Sequence, residues 1–318
     1  MRAIGGYFEL ELHGESKEFH PDAICLNTAR NALEYILIVK NTKKIFLPYF
    51  TCEVLLEPLN KLQIPFQFYS VDENLEPIFD FTVLQIDDAF LYTNYFGLKD
   101  SFIQQLSKVC KQLIVDNAQA FYSKPLKGVP TFYSVRKFFG VSDGAYLYND
   151  EKLDIILEQD VSFERMSHLL VRIDVSAEAG YSFFSVNDKS LENQSIKIMS
   201  NLTKSILSTL DYEGIANKRR DNFVFLNNLL KKSNKFSFQL DTDSVPMVYP
   251  YWTKDKNLRK KLIENKIYTA TYWSNVKEWC KEDDLEYQLV NEVVYLPIDQ
   301  RYSREEMELI IKKIIYEY

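Results

Sequence analysis

The sequence has little glycine and very little cysteine or histidine. Its 318 residues include only nine glycines, four cysteines and three histidines. The cysteines are far apart and form no Cys-x-x-Cys pair, so neither a disulfide framework nor a cysteine zinc motif is indicated, and we expect reduced, buried thiols. The histidines lack the spacing of metal ligands, so no metal site is expected. Residues 27–32, after the first predicted strand, contain no glycine, which excludes the G-x-G-x-x-G turn of nucleotide-binding dehydrogenases.

An excess of positive charge and long apolar runs are also missing. The chain has 38 basic and 45 acidic residues, a net charge of −7 at pH 7, whereas proteins that bind nucleic-acid backbones carry a basic surface. No segment reaches the ~18 apolar residues of a membrane helix, and the N-terminal "MRAIGGYFELEL" lacks the apolar core of a signal sequence. We therefore expect a cytoplasmic protein that binds neither nucleic acid nor membrane.

The composition that remains is that of a globular protein. Hydrophobic residues make up 46% of the chain and charged residues 26%, as in typical soluble domains. Because single hydrophobic cores stop growing near ~250–300 residues, this length suits one large domain or two ordinary ones.

Short apolar runs alternate with amphipathic segments in the first half of the chain. Apolar runs predict strands, and apolar residues at helical spacing predict helices. The predicted strands are 23–27, 44–48, 66–71, 89–94 and 112–116, and the predicted helices are 28–39, 52–62 and 99–111. This alternation indicates βαβ units and a mostly parallel sheet covered by helices on both faces.

The pattern becomes mainly helical after about residue 150 and mixed towards the C-terminus. Residues 193–210 and 212–232 have helical spacing, whereas strands and helices alternate again beyond them. We therefore expect a large α/β domain over residues 1–234, which includes the long connecting helices, and a smaller α+β domain over residues 235–318.

Polar residues at the ends of the predicted strands are candidates for a binding site, because ligands of parallel sheets gather at the carboxyl ends of strands. Thr28 lies at a strand-to-helix junction, where it either caps the helix or offers its hydroxyl, with free N–H groups, to a phosphate. Asp116 closes a strongly apolar strand. It either caps the next turn or is a buried carboxylate that a cation or a hydrogen-bond donor must satisfy.

Two adjacent cations, Arg136 and Lys137, lie in the aromatic stretch "TFYSVRKFFGVSDGAYLY" of residues 131–148. If the segment is extended, neighbouring side chains point to opposite faces, so only one of the two can enter a pocket. Taken alone, the pattern favours two cations that reach out to water. The functional alternative is a lysine surrounded by aromatic rings, where burial lowers its pKa and makes the amine a nucleophile.

The spacing of these residues resembles the DegT-type sugar aminotransferase family, which belongs to the fold-type-I enzymes that depend on pyridoxal 5′-phosphate (PLP). The resemblance rests on Asp116-(x)2-Gln119, followed 18 residues later by Lys137 and then by "GVSDGAYLY". Further similar stretches are "NTARNALEYIL", "LPYFTCEVLLEPL", "TNYFGL", "AEAGYSFFSVND" and "NKRRDNF". The resemblance covers most of the chain. It implies a seven-stranded, mostly parallel sheet between helices, followed by a smaller α+β domain.

The resemblance also implies a role for three residues near the PLP ring. Lys137 would bind the cofactor through a Schiff base and then transfer protons as a general acid–base. Asp116 would pair with the pyridinium nitrogen and keep the ring protonated as an electron sink. Gln119 would form a hydrogen bond with the ring hydroxyl.

The phosphate side of the site follows the family less closely. By resemblance, Thr28 and Ala29 would hold the cofactor phosphate through backbone N–H groups and a hydroxyl, and Ser134 would add a contact. Many relatives carry a serine five positions before the lysine, where this chain has Phe132. Relatives also place an aromatic residue over the ring, and Thr51-Cys52 occupies the corresponding position here, with Tyr49 or Phe50 as alternatives.

Members of this family are homodimers, and the resemblance implies that the partner subunit completes the active site. Tyr181 and Asn187 are candidates for such contributions, although Tyr181 also suits an ordinary core and Asn187 a helix N-cap. Arg219-Arg220 lies among mostly polar neighbours on a predicted helix, which favours a solvated face over a contact with a substrate phosphate.

The implied function is transfer of an amino group from glutamate to a nucleotide-linked keto-sugar. Two alternatives remain open. The first is a dehydratase, although in those relatives a histidine replaces the lysine that this chain retains as Lys137. The second is a non-catalytic relative that keeps the fold for binding or regulation.

Overall fold

The computed structural model describes residues 6–12, 14 and 17–315. Residues 1–5, the beginning of the N-terminal stretch considered above, and His13 lie outside this description. The strands are β1 (Ile24–Leu26), β2 (Lys44–Pro48), β3 (Phe66–Val71), β4 (Pro77–Ile78), β5 (Asp88–Thr93), β6 (Leu113–Asn117), β7 (Thr131–Ser134), β8 (Ala145–Tyr148), β9 (Val248–Trp252) and β10 (Val293–Pro297). The helices are α1 (Ala29–Val39), α2 (Leu56–Leu62), α3 (Asp100–Val109), α4 (Ser167–Asp174), α5 (Ala177–Ser190), α6 (Asn201–Leu207), α7 (Tyr212–Leu230), α8 (Leu258–Glu264), α9 (Val276–Trp279), α10 (Leu285–Glu292) and α11 (Arg304–Ile315). Within the described ranges, no helix is both long and apolar enough to cross a membrane.

The larger sheet has the strand order β1-β8-β7-β6-β5-β2-β3-β4. Strands β3, β2, β5, β6 and β7 run parallel to one another, whereas β1, β8 and β4 are antiparallel to their neighbours. The prediction of a mostly parallel sheet flanked by helices is confirmed. The sheet has one strand more than the seven expected, because it includes the two-residue edge strand β4.

The predicted boundaries agree well with β2 and β3 and less well beyond residue 190. Residues 193–210 have helical spacing, yet only Asn201–Leu207 is helical. Before this helix, Ile198 forms isolated bridges with Leu26 of β1 and with Gln159 instead. The buried Asp143 carboxylate accepts hydrogen bonds from the N–H and the hydroxyl of Ser200 (2.9 and 2.8 Å), and Ser200 in turn caps the helix. A contact from a distant turn therefore sets the start of α6.

The two faces of the larger sheet carry separate apolar cores. Ile114 of β6 packs in the same cluster as the buried residues of α1, whereas Leu113 and Val115 belong to the cluster on the other face. Because side chains alternate along a strand, Asp116 lies on the α1 face and Asn117 on the opposite face. The candidate residues Asp116 and Thr28 therefore share one side of the sheet.

Strands β9 and β10 form a separate antiparallel sheet near the C-terminus. A third apolar cluster packs this sheet against α7, α8 and α11. The α+β character expected for this part of the chain is therefore present. Because α7 lies before residue 235 and contributes to the same core, the domain boundary at that position stays a prediction.

The buried imidazole of His20 contacts the antiparallel edge of the larger sheet and the loop after β6. Its Nε2 lies 2.8 Å from the carbonyl oxygen of Phe121, and its Nδ1 lies 3.1 Å from the hydroxyl of Tyr148. Because a carbonyl only accepts, Nε2 carries the proton and Nδ1 accepts from Tyr148 in the neutral ring. Burial lowers the pKa of His20 to about 4, although the bond to Phe121 opposes the shift.

We expect His20 to make folding depend on pH. As the pH drops below 6.5, His20 becomes protonated in the unfolded chain, whereas in the folded protein it stays neutral until about pH 4. Its contribution to the free energy of unfolding therefore decreases by about 3 kcal/mol as the pH is lowered through this range. Urea unfolding of the wild type and of His20→Gln at several pH values measures this contribution. Glutamine keeps an N–H donor but does not titrate in this range. A stability difference independent of pH would contradict the prediction.

Candidate active site

Lys137 lies in a 3-10 turn at the carboxyl end of β7. The turn spans Val135–Lys137, and the N–H group of Phe138 donates to the carbonyl of Val135 (3.1 Å). Because this segment is a turn rather than a strand, the two cations do not alternate between faces of the sheet. Arg136 forms an ion pair with Asp188 (2.8 Å), whereas the side chain of Lys137 is exposed. Of the two adjacent cations, Lys137 is therefore the accessible one, and the hypothesis of a lysine buried among aromatic rings is wrong.

Asp116 lies near the carboxyl end of β6 and is 5% exposed. Its Oδ1 accepts a hydrogen bond from the N–H of Ala118 (2.8 Å), so it stabilises the turn after the strand. Burial raises the pKa of Asp116 to about 7, although the Ala118 N–H and the charge of Lys137 oppose this shift. Asp116 therefore both caps the turn and is a buried acid, so the two interpretations of this residue from the sequence are compatible.

Lys137, Asp116 and Cys52 influence one another electrostatically. Burial raises the pKa of the Cys52 thiol, the charge of Lys137 lowers it, and the charge of Asp116 raises it. Cys52 follows β2, Asp116 belongs to β6 and Lys137 follows β7. Because these parallel strands end at the same edge of the sheet, the fold brings together residues that are widely separated in the sequence.

Gln119 is 4% exposed and bonded to the chain that follows β5. Its Oε1 accepts a hydrogen bond from the backbone N–H of Phe96 (3.1 Å). Since a backbone N–H only donates, this contact fixes which way the amide faces and leaves the NH2 group available to donate. The orientation agrees with the predicted role of Gln119 as a donor to a cofactor hydroxyl, a role that stays a prediction.

Thr28 is the N-cap of α1. Its hydroxyl accepts a hydrogen bond from the N–H of Asn31 (3.1 Å) and donates to the Asn31 side-chain oxygen (2.6 Å). The hydroxyl is therefore engaged within the helix turn, and the capping interpretation describes it. Free N–H groups of the first helical turn, beginning with Ala29, remain the donors that this junction offers to an anion.

Ser134 is the last residue of β7, and Phe132 lies two positions before it on the same face of the strand. Phe132 is fully buried in the core beside α1 and pairs with Asp116 in the sheet register. Ser134 therefore lies on the face of Asp116, nearer the carboxyl edge than Phe132. The structure thus places the only nearby serine of this strand on the side where the phosphate contact is predicted.

The two aromatic residues after β2 both have partners within the fold. Tyr49 stacks on Phe68 with ring centroids 4.9 Å apart. Phe50 is fully buried, 5.7 Å from the ring of Tyr95 and 5.0 Å from that of Trp273. These contacts within the protein explain the positions of both rings, so a stacking contact with a cofactor is not required to explain either of them.

Three further expectations are corrected by the structure. Tyr181 is 70% exposed on α5 and does not belong to the core. Asn187 lies inside α5, whose N-cap is Ser176, and its Nδ2 donates to the carbonyl of Ser142 (3.2 Å). Arg219 is 2% exposed rather than solvated. The neighbours of Arg219 along the helix are mostly polar and therefore suggested a solvated face. Its burial comes from contacts with residues far away in the sequence, which the helical pattern does not reveal.

Known structures share this fold although no sequence match was found. No family model and no curated protein sequence matches the chain. The sugar aminotransferase CalS13 from Micromonospora echinospora is 15% identical, with a TM-score of 0.63 over 94% of this chain and 88% of that one. A DegT DnrJ EryC1 StrS aminotransferase from Brucella abortus is 16% identical, with a TM-score of 0.58 over 92% and 84%. Spr1654 from Streptococcus pneumoniae in its PLP form is 14% identical, with a TM-score of 0.62 over 92% and 86%.

The similarity extends over nearly the whole length of both chains in each comparison. The protein therefore has the fold of these aminotransferases, with a large mostly parallel sheet between helices, as the resemblance in the sequence implied. At these identities the comparison establishes the fold, and the function has to be argued from the site itself.

Proposed function

We propose that the protein is a PLP-dependent aminotransferase whose cofactor-binding lysine is Lys137. The observation that carries the proposal is the combination, at one edge of the sheet, of an accessible amine and a buried carboxyl, Asp116, with a pKa raised to about 7. Clusters of perturbed groups at the carboxyl ends of parallel strands are typical of active sites. The fold shared with aminotransferases supports the same function.

The side chains at this edge fit PLP chemically. Asp116 is buried, and a protonated pyridine nitrogen is the kind of cation that stabilises its charged form. Gln119 has an NH2 group that suits the ring hydroxyl. Ala29, at the N-terminus of α1, and Ser134 offer donors for a phosphate. Thr28 would contribute through its backbone, because its hydroxyl is engaged with the helix.

In the proposed reaction, PLP supplies an electron sink that stabilises negative charge on the reacting carbon of the amino acid. Asp116 would hold a proton on the ring nitrogen, and Gln119 would orient the ring. Lys137 would first anchor the cofactor and then move a proton to and from the reacting carbon as a general acid–base. One amine thus serves two steps, which explains why it has to be accessible.

We further propose glutamate as the amino donor and a nucleotide-linked keto-sugar as the acceptor, and a location in the cytoplasm. The acceptor class is supported by the sugar aminotransferase description of the similar structure CalS13. The four cysteines are unpaired, which suits a reducing compartment.

We also propose that the protein is a homodimer. Helices α4 and α5, together with Val175 between them, expose large apolar side chains, and large exposed apolar surfaces mark interaction sites. These residues are Leu170, Ile173, Val175, Tyr181, Phe183, Phe184 and Val186. Sedimentation equilibrium tests the proposal, because Phe183→Asp is expected to convert a dimer into monomers and a monomeric wild type would disprove it.

The proposed function is tested by adding PLP to the purified protein and then screening amino acids. We expect a visible or near-ultraviolet absorption band of the lysine-bound cofactor, and glutamate is expected to remove it when the amino group passes to the cofactor. A protein that binds PLP but reacts with no amino donor would favour the second candidate, a non-catalytic or non-transaminating relative. The engaged hydroxyl of Thr28 and the apolar Phe132 on the phosphate side motivate that alternative. A protein that binds no PLP would exclude the aminotransferase.

A further inference from the structure

Arg219 of α7 is a cation held in the interior of the protein. It is 2% exposed, and burial lowers its pKa to about 10 although the charge of Asp299 opposes this shift. Its guanidinium donates to uncharged oxygens, namely the Gln300 side chain (3.0 Å) and the carbonyl of Met247 (3.0 Å). Burial of a charge is unfavourable unless it is well satisfied, so a specific set of contacts must hold it there.

The Arg219 guanidinium also contacts Phe138, the immediate neighbour of Lys137. The guanidinium carbon lies 4.5 Å from the centre of the Phe138 ring, and Nη2 lies 3.4 Å from the Phe138 carbonyl oxygen. The same carbonyl accepts a hydrogen bond from the Nε2 of Gln300 (2.8 Å). Phe138 is therefore held by its ring and by its carbonyl, and the backbone that carries Lys137 is fixed from the side of α7 and of the segment that follows β10.

A second series of contacts connects Arg219 with Gln119. Besides accepting from Arg219 through its carbonyl, Met247 donates its N–H to the carbonyl of Phe96 (2.9 Å). Phe96 in turn donates its N–H to the Oε1 of Gln119 (3.1 Å). The path from Gln119 to the chain beside Lys137 thus runs through Phe96, Met247 and Arg219.

Phe96 shows that this path fixes the backbone tightly. Its φ is +60°, in the left-handed region that bulky residues rarely adopt. Such a conformation persists only where surrounding contacts determine it, and the hydrogen bonds to Gln119 and Met247 hold its N–H and its carbonyl. The backbone on the Gln119 side of the site is therefore as firmly held as Phe138 is on the Lys137 side.

We propose that Arg219, together with Gln300, is a positioning residue that sets the location of Lys137 relative to Gln119 and Asp116. This inference rests on the proposed function, because the distance that matters is the one from the lysine amine to a bound cofactor. A guanidinium suits the task, since its flat fork donates in several directions at once and stacks on an aromatic ring, which a lysine cannot reproduce. Arg219 acts through Phe138 and has no predicted contact with the cofactor.

The test separates cofactor binding from covalent attachment. Pyridoxine 5′-phosphate lacks the aldehyde, so its affinity reports the contacts of Asp116, Gln119 and the phosphate donors without Lys137. The rate at which PLP becomes fixed to Lys137, trapped by borohydride and located by mass spectrometry, reports the position of the amine. Arg219→Lys and Gln300→Met are the test variants. Arg220→Met is the matched control, since this neighbouring arginine contacts the Ser244 carbonyl (3.0 Å).

We expect both test variants to keep the wild-type affinity for pyridoxine 5′-phosphate and to attach PLP about tenfold to a hundredfold more slowly, the effect of a small misplacement of a reacting group. The control is expected to behave like the wild type. The inference is overturned if attachment is unchanged, or if affinity and attachment fall in proportion, which would indicate a role in stability alone. Gln300 is only partly buried, so its variant remains informative if Arg219→Lys does not fold. A wild type that never attaches PLP would instead disprove the proposed function.

Discussion

Replacing Lys137 with alanine is expected to abolish the covalent attachment of PLP and to slow amino transfer by at least about a hundredfold, because proton transfer by a positioned group contributes a factor of this size or more. The side chain is exposed, so thermal stability is expected to change little. Attachment is measured by mass spectrometry after borohydride reduction, and transfer by the disappearance of the cofactor absorption band with glutamate.

Lys137→Arg and Arg136→Ala are the matched controls for this result. Arginine keeps a positive charge beside Asp116 but stays protonated, so it cannot act as a nucleophile, and we expect it to be as inactive as alanine. Arg136, the residue before Lys137, forms an ion pair with Asp188 (2.8 Å). Its replacement by alanine is therefore expected to leave the attachment of PLP intact. Attachment of PLP to another lysine in Lys137→Ala would refute the assignment.

Asp116→Asn is expected to stabilise the cofactor-free protein while impairing the reaction. Between about pH 4 and pH 7 folded Asp116 keeps a proton that the unfolded chain has released, so its contribution to stability falls as the pH rises, by about 4 kcal/mol in total. Asparagine has nearly the same shape and does not ionise. The variant should therefore match the wild type in acid and become progressively more stable than it towards neutral pH.

The same substitution removes the group that would keep the ring nitrogen protonated. We expect PLP still to attach to Lys137, whereas amino transfer falls by about 10²–10³-fold, the typical cost of losing one electrostatic contact at a reacting centre. Urea unfolding against pH and the rate of transfer measure the two effects. A variant that is less stable than the wild type at neutral pH would show that Asp116 is mainly a structural cap.

The stability measurements have to be made as differences between variants. His20 loses stability as the pH falls from 6.5 towards about 4, whereas Asp116 loses stability as the pH rises through nearly the same range. The two contributions oppose each other, so they partly cancel in the wild-type curve. Comparison with His20→Gln isolates the first effect and comparison with Asp116→Asn the second.

The alternation of apolar runs and amphipathic segments was sufficient to predict the parallel centre of the sheet. The pattern fails for β7 and β8, which are only four residues long and rich in tyrosine and phenylalanine, so no clear period appears. It also fails for residues 193–200. The helix begins only at Asn201 because Asp143, 57 positions away, accepts hydrogen bonds from the N-cap residue Ser200. Local periodicity cannot report a contact at that distance.

The resemblance of their spacing to that of a known family selected Lys137, Asp116 and Gln119, and the alternation of apolar and amphipathic segments indicated the class of fold, because both patterns lie along the chain itself. Only the tertiary structure decided which side chains form hydrogen bonds within the protein, which are exposed and which are buried. It assigned the hydroxyl of Thr28 to helix capping, exposed Tyr181, and buried Arg219 against a carbonyl 81 positions away. Hydrogen bonds between distant segments and the burial of charge arise when strands and helices pack, so they have no periodicity in the sequence that could have predicted them.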